Sequence, residues 1–221
     1  MGKNSKGHGP VERATASPEL ILASASPRRA ELMRQAGYHF RVAKSTLHEP
    51  ARRPESVPIR IWPVCLALRK AQSVARSRPS NSIVIGADTI VVHDDRVINK
   101  AATRHHAETI LRSLSGTTHE VITGLVVLHG DQCQMESVVS TCRMKRLSER
   151  QLQNYLDSNL WRGKAGAYGI QDSPQDPFVT LMSGEHSNVM GLPLVTLQRL
   201  LRMQLDNITS SVRLSNIDTY T

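Results

Sequence analysis

Asp88 stands inside the apolar run "IVIGADTIVV", residues 83–92. A carboxylate buried there without partners costs several kcal/mol, so it must meet a cation, a metal ion or several hydrogen-bond donors, or else cap the turn that follows the strand. Strand alternation places Gly86, Asp88 and Ile90 on one face and Ala87, Thr89 and Val91 on the other, and the bare Gly86 leaves room beside the acid. A second group lies in "ASASPRRAEL", residues 23–32. Ser26 suits a helix N-cap and Pro27 the first helical position, which puts Arg28 and Arg29 in the first turn. Cations there oppose the macrodipole by ~0.3–1 kcal/mol each. A bound anion reverses that sign; without one, the two are exposed arginines carried at small cost. The third group is "GKAGAYGIQ", residues 163–171. Its glycines and alanines let the backbone approach a ligand, and Gln171 offers a donor and an acceptor in the geometry of a nucleobase edge. A Gly-rich turn with no ligand is the plainer alternative.

Other chemistries find no support. "GKA" lacks the Ser or Thr and the upstream Gly of a Walker A loop, and no GxSxG elbow or HExxH pair occurs. His105 and His106 are adjacent on a helical stretch and cannot share a metal as i, i+4 ligands would, so they read as surface residues.

The elements that carry these groups follow from periodicity. "LILAS" and "SIVIGADTIVV" read as buried strands. Helices are expected after Pro27, over "WPVCLALRKAQSVA", where Pro63 must start or kink the helix, over "TRHHAETILRSL" as far as Gly116, and from the N-cap Ser148 through Leu156. "HEVITGLVVLHG" and "QMESVVSTCRMKRL" pair as long strands around "GDQ", "PFVTLMSG" gives another strand, and "LPLVTLQRLLRMQL" closes the core as an amphipathic helix. Alternation first and hairpins later predict an α/β fold, a mixed sheet with helices on its faces. Residues 1–18 and 206–221 read as polar tails around a domain spanning 19–205.

A chain of 221 residues with 39% hydrophobic content can bury one good core. Its formal net charge of +9 favours anionic partners. Basic runs no longer than two residues and 4% aromatic content argue against a nucleic-acid module. Three cysteines, Cys65, Cys133 and Cys142, without a CxxC pair fit neither a disulfide scaffold nor a structural zinc site, and point to a reducing, cytoplasmic setting. No apolar stretch approaches a membrane span and no secretory signal opens the chain, so no membrane partner is expected.

"LILASASPRRAEL", "LRKA" at 68–71, "VIGADTIVV", Lys100, "LSGTTHEVITG", "KAGAYGIQ" and "NVMGLPL" occur in the order and approximate spacing of the Maf family of nucleoside triphosphate pyrophosphatases, which the chain resembles from Leu20 to about Leu201. The resemblance implies an elongated mixed sheet in two lobes with a central cleft, similar to inosine triphosphate pyrophosphatases. It also implies hydrolysis of a nucleoside triphosphate to monophosphate and pyrophosphate, with Mg²⁺, Mn²⁺ or Co²⁺. "GADT" and "GIQ" look like the branch acting on dTTP and UTP.

Residue by residue, the resemblance makes Asp88 the catalytic acid and metal ligand, Glu49 its metal partner, and Arg28, Arg29, Lys70 and Lys100 phosphate ligands. Ser24 and Lys164 join the substrate site, while Thr89, Gln171 and one arginine match positions that choose the base. A homodimer is a candidate assembly. The sequence departs from the family pattern in an insertion within 51–63 that includes Pro63, and at Arg69, Ala101 and Asp172, the last adding negative charge beside the expected base pocket. Two alternatives keep the fold: a nucleotide-binding regulatory protein with weak activity, or a member preferring another nucleotide such as 7-methyl-GTP.

Overall fold

The computed structural model describes residues 18–48, 50 and 52–217, so most of the expected N-terminal tail and Glu49 lie outside the described residues. The chain forms β1 (Leu20–Ala23), α1 (Pro27–Gln35), β2 (Arg41–Val42), α2 (Trp62–Ala75), β3 (Ile83–His93), β4 (Arg96–Ile98) and α3 (Arg104–Leu114). Then follow β5 (Thr118–His129), β6 (Gln132–Met144), α4 (Glu149–Asp157), β7 (Val179–Ser183), α5 (His186–Val189) and α6 (Leu194–Ile217). The strands make one seven-stranded mixed sheet in the order β2-β1-β3-β5-β6-β7, with β4 also paired to β3. β1 runs parallel to β2 and β3, whereas β3–β5–β6 is an antiparallel meander.

β3 is buried on both faces, and its side chains alternate between the packing on either side of the sheet. Ile83, Ile85 and Ala87 pack with Ala30, Met33 and Leu197 of α1 and α6, while Val84 packs with Ala67 and Val74 of α2. The same alternation sends Asp88 toward α2 and Thr89 toward α1. The room beside Gly86 has a different use from the one its sequence suggests. A Cβ at Gly86 would lie 2.3 Å from the Ala67 carbonyl oxygen, and one at Gly124 would lie 2.2 Å from the Pro63 carbonyl carbon. These glycines seat the backbone of α2 directly on the sheet, with Pro63 inside the first turn of the helix.

The expected long elements are present, and Ser148 caps α4 in a full capping box with Gln151. Ser26 precedes α1 in extended conformation without a side-chain capping bond; its own N–H donates to Ser24 Oγ at 3.2 Å. Three short elements were not anticipated. β2 and β4 have two and three residues, too few for periodicity to register, and α5 has four. The β3–β4 hairpin turns on Asp94 and Asp95, both with positive φ, which short Asp side chains tolerate. α6 runs past residue 205, where the expected C-terminal tail begins, to Ile217, so residues 206–217 prolong a helix that the packing of Leu197, Leu200 and Leu201 has already nucleated. No described helix is long and apolar enough to cross a membrane.

Candidate active site

A cavity of about 500 Å³ opens where the C-terminal end of β1, the middle of β3 and the Gly-rich segment converge. Every expected site residue within the described part of the chain lines it. The β1–α1 turn supplies Ser24, Arg28 and Arg29, α2 supplies Lys70, and β3 supplies Asp88 and Thr89. Lys100 enters after β4, and Lys164 and Gln171 come from the segment before β7. A single backbone bridge between Lys100 and Ala165 joins the last two walls.

Arg29 is a fixed cation. Its Nε donates to the Gly191 carbonyl at 2.7 Å, and its two terminal nitrogens donate to Ser24 Oγ at 3.2 Å and Thr89 Oγ1 at 3.0 Å. Gly191 lies at φ +109°, which presents its carbonyl to the guanidinium and is strained for other residues. Thr89 Oγ1 also lies 2.9 Å from Thr123 Oγ1 on β5, so the arginine ties strand to loop. Arg28 is half-buried. Burial pulls its guanidinium below the usual arginine range, against the opposing charge of Asp172 and the nearby Tyr155.

Asp88 meets the cation its burial demands: Lys70, one turn from the end of α2, donates to Asp88 Oδ1. Oδ2 accepts no hydrogen bond among the described residues. Lys164 behaves differently from a phosphate ligand. Its ammonium donates to both oxygens of Asp172, and the Tyr155 hydroxyl donates to Asp172 Oδ2 at 2.5 Å. Burial lowers the Lys164 pKa, with Asp172 acting in the opposite direction and Arg28 reinforcing the fall. The charge of Asp172 expected beside the base pocket is therefore neutralised within the wall. Gln171, the next residue, is exposed and forms no hydrogen bond among the described residues.

Val91, Val121 and Tyr168 are among the apolar residues of the lining. Tyr168 is held by His119, whose Nε2 lies 2.6 Å from its hydroxyl oxygen; burial, assisted by His93, pushes the His119 pKa down to about 4, so the ring is neutral at pH 7. The sequence does not single out Tyr168 or His119: Tyr168 sits in a Gly-rich stretch whose polar side chains draw the reading, and His119 stands between Thr118 and Glu120 with no partner in its own segment. Arg162 was also missed; it stacks on Trp161 with 4.5 Å to the ring centroid and adds a sixth cationic side chain to the cavity. His105 and His106 lie exposed on α3, as expected.

The profile of the family described as "Maf-like protein" matches residues 19–204. The chain belongs to the Maf family. Among its relatives, the dTTP/UTP pyrophosphatase of Symbiobacterium thermophilum is 44% identical over 176 residues, covering 80% of this chain and 89% of that protein. The dTTP/UTP pyrophosphatase of Hyphomonas neptunium is 41% identical over 188 residues, covering 84% and 95%. A solved nucleoside-triphosphatase, dITP/XTP pyrophosphatase, of Mycobacterium abscessus aligns over 88% of this chain and 98% of its own at 13% identity with a TM-score of 0.39.

Whether a Maf-type site built this way suits a divalent cation can be judged from its donors. No group of three or more His, Cys, Asp or Glu side chains gathers among the described residues. Mg²⁺ is commonly held by one or two carboxylates and completed by substrate phosphates and water, and Asp88, with Oδ2 uncommitted, fits that pattern rather than an all-protein cage.

Proposed function

We propose that this protein hydrolyses pyrimidine nucleoside triphosphates, dTTP and UTP, to the nucleoside monophosphate and pyrophosphate. One observation carries the reading: six cationic side chains converge on a single cavity whose lining contains one carboxylate, Asp88. That charge distribution suits a polyanion attacked at one phosphorus, and the names of the relatives supply the nucleotide class. The same reading takes free nucleotide in the cytoplasm as the partner, with no nucleic acid or membrane.

Arg29, held by its hydrogen bonds to Gly191, Ser24 and Thr89, offers a preorganised donor surface to the phosphate chain. The α1 N–H groups, uncapped by Ser26, and Lys100 extend it, and Arg28 closes the side nearest Gln171. Lys70 orients Asp88 through Oδ1 and leaves Oδ2 to accept a proton from water. The water oxygen then forms a bond to the α-phosphorus, the bond from that phosphorus to the bridging oxygen breaks, and pyrophosphate leaves with the bond pair. A divalent cation held by Asp88 and Glu49 would supply neutralisation of charge on the phosphate oxygens. Gln171 and Thr89 read the base.

A panel of canonical and modified nucleoside triphosphates tests this with purified protein and Mg²⁺, Mn²⁺ or Co²⁺, assaying pyrophosphate and orthophosphate separately. Pyrophosphate release from dTTP and UTP above purine triphosphates is expected. Orthophosphate release, or no cleavage of any nucleotide, overturns the reading.

A further inference from the structure

Lys164 and Asp172 bracket the wall segment that ends in Gln171, and three kinds of contact hold that segment. The first is the ion pair itself, whose side chains are only 9% and 5% exposed. The second is local backbone: Ala167 N–H donates to the Lys164 carbonyl at 3.2 Å and Asp172 N–H to the Gly169 carbonyl at 3.0 Å. The third is outside support from Tyr155 of α4 and from the Lys100–Ala165 bridge. The Asp172 carboxylate lies flat on the segment's backbone, since a Cβ at Gly169 would come within 2.6 Å of Oδ1. Gly166 and Ala167 turn the chain through φ +69° and +57° to bring the two charged ends together. Both Asp172 oxygens are thus spent inside the wall, while the adjoining Gln171 side chain faces the cavity uncommitted.

We propose that Lys164, Asp172 and Tyr155 form a clasp that fixes the nucleobase-reading wall, with Asp172 a positioning residue for base selection. The proposal rests on the pyrimidine triphosphate reading for its substrate. A base contact formed equally in ground and transition states changes KM and leaves kcat, so loosening the clasp acts on KM and on the ranking of bases.

The test uses the full chain. In Asp172→Asn the carboxylate charge is removed without change of shape. KM for dTTP and UTP is expected to rise about tenfold with kcat held within about twofold, and the preference over purine triphosphates to shrink. Without nucleotide, the amides of residues 163–171 lose hydrogen-exchange protection. Tyr155→Phe gives the same changes at smaller size. Because Asp172→Asn strands the buried Lys164 ammonium, the double variant Lys164→Met/Asp172→Leu restores an uncharged wall; it is expected to regain stability yet keep the altered ranking and the lost protection. If Asp172→Asn fails to fold, this double variant decides. Wild-type protection and wild-type ranking in it overturn the clasp. Should the wild type cleave no nucleotide, the substrate reading fails, and the exchange measurement still judges the clasp by itself.

Discussion

Two lysine–aspartate pairs each set their lysine on the same cavity and do opposite things. Lys70 and Asp88, on α2 and β3, have side chains 13% and 11% exposed, and one carboxylate oxygen of the pair is taken. Lys164 and Asp172 are 9% and 5% exposed, and the lysine and Tyr155 together engage both oxygens. Residue types and burial are nearly the same. The difference lies in lone pairs: Asp88 retains an oxygen that can act on something arriving from outside, and Asp172 does not. A buried ion pair marks chemistry only where its hydrogen-bonding capacity exceeds what the protein itself consumes.

The largest expected effect separates the pairs by rate. Asp88→Asn should lower pyrophosphate release at saturating dTTP by about 10³-fold, the middle of the range for loss of a general base, while binding of a non-hydrolysable α,β-imido triphosphate measured by calorimetry survives. A variant that keeps near-normal turnover would collapse the distinction. The next effect reverses the order and appears in stability. Asp172→Asn should lower the unfolding free energy in urea by about 3 kcal/mol, because the ammonium of Lys164 is left without a counter-charge inside the wall. Asp88→Asn should cost less, since Lys70 and Asp88 are the more exposed of the two pairs. Equal losses in the two variants would mean that both pairs are structural.

The smallest effect divides the two arginines. Each should lose about 2 kcal/mol of triphosphate affinity on replacement by Ala, the size of a charge-assisted hydrogen bond. Only Arg29→Ala should also lower the melting temperature of the free protein, because it abandons the Gly191 carbonyl and Thr89. Arg28→Ala leaves that temperature equal or slightly higher by relieving the conflict with the helix macrodipole. Calorimetric titration beside thermal melts reads both quantities.

Much of this arrangement is legible in the sequence, and the failures have physical causes. Asp88 declares itself because one charge interrupts ten residues of apolar strand. Arg28 and Arg29 do so because they stand at the wrong end of a helix dipole. What the sequence does not reveal is where a side chain spends its hydrogen bonds. The pairing of Lys164 with Asp172 depends on two consecutive left-handed residues, Gly166 and Ala167, and alanine gives no local signal for that conformation. Gly86 reads as room beside Asp88, and that room is instead filled by the backbone of α2. Residues 206–217 lack the apolar regularity of a helix, yet propagation from a packed first half adds one hydrogen bond per residue ordered.

The bond from Arg29 to Gly191 joins positions 162 residues apart in the chain. Contacts of such separation are entropically expensive to close, so the Arg29 guanidinium is locked only when almost the whole domain has been assembled. During synthesis on the ribosome, β1, α1 and β3 can come together long before residue 191 leaves the exit tunnel. The fixed orientation of Arg29 is therefore acquired at the end of assembly, in step with the arrival of the C-terminal segment.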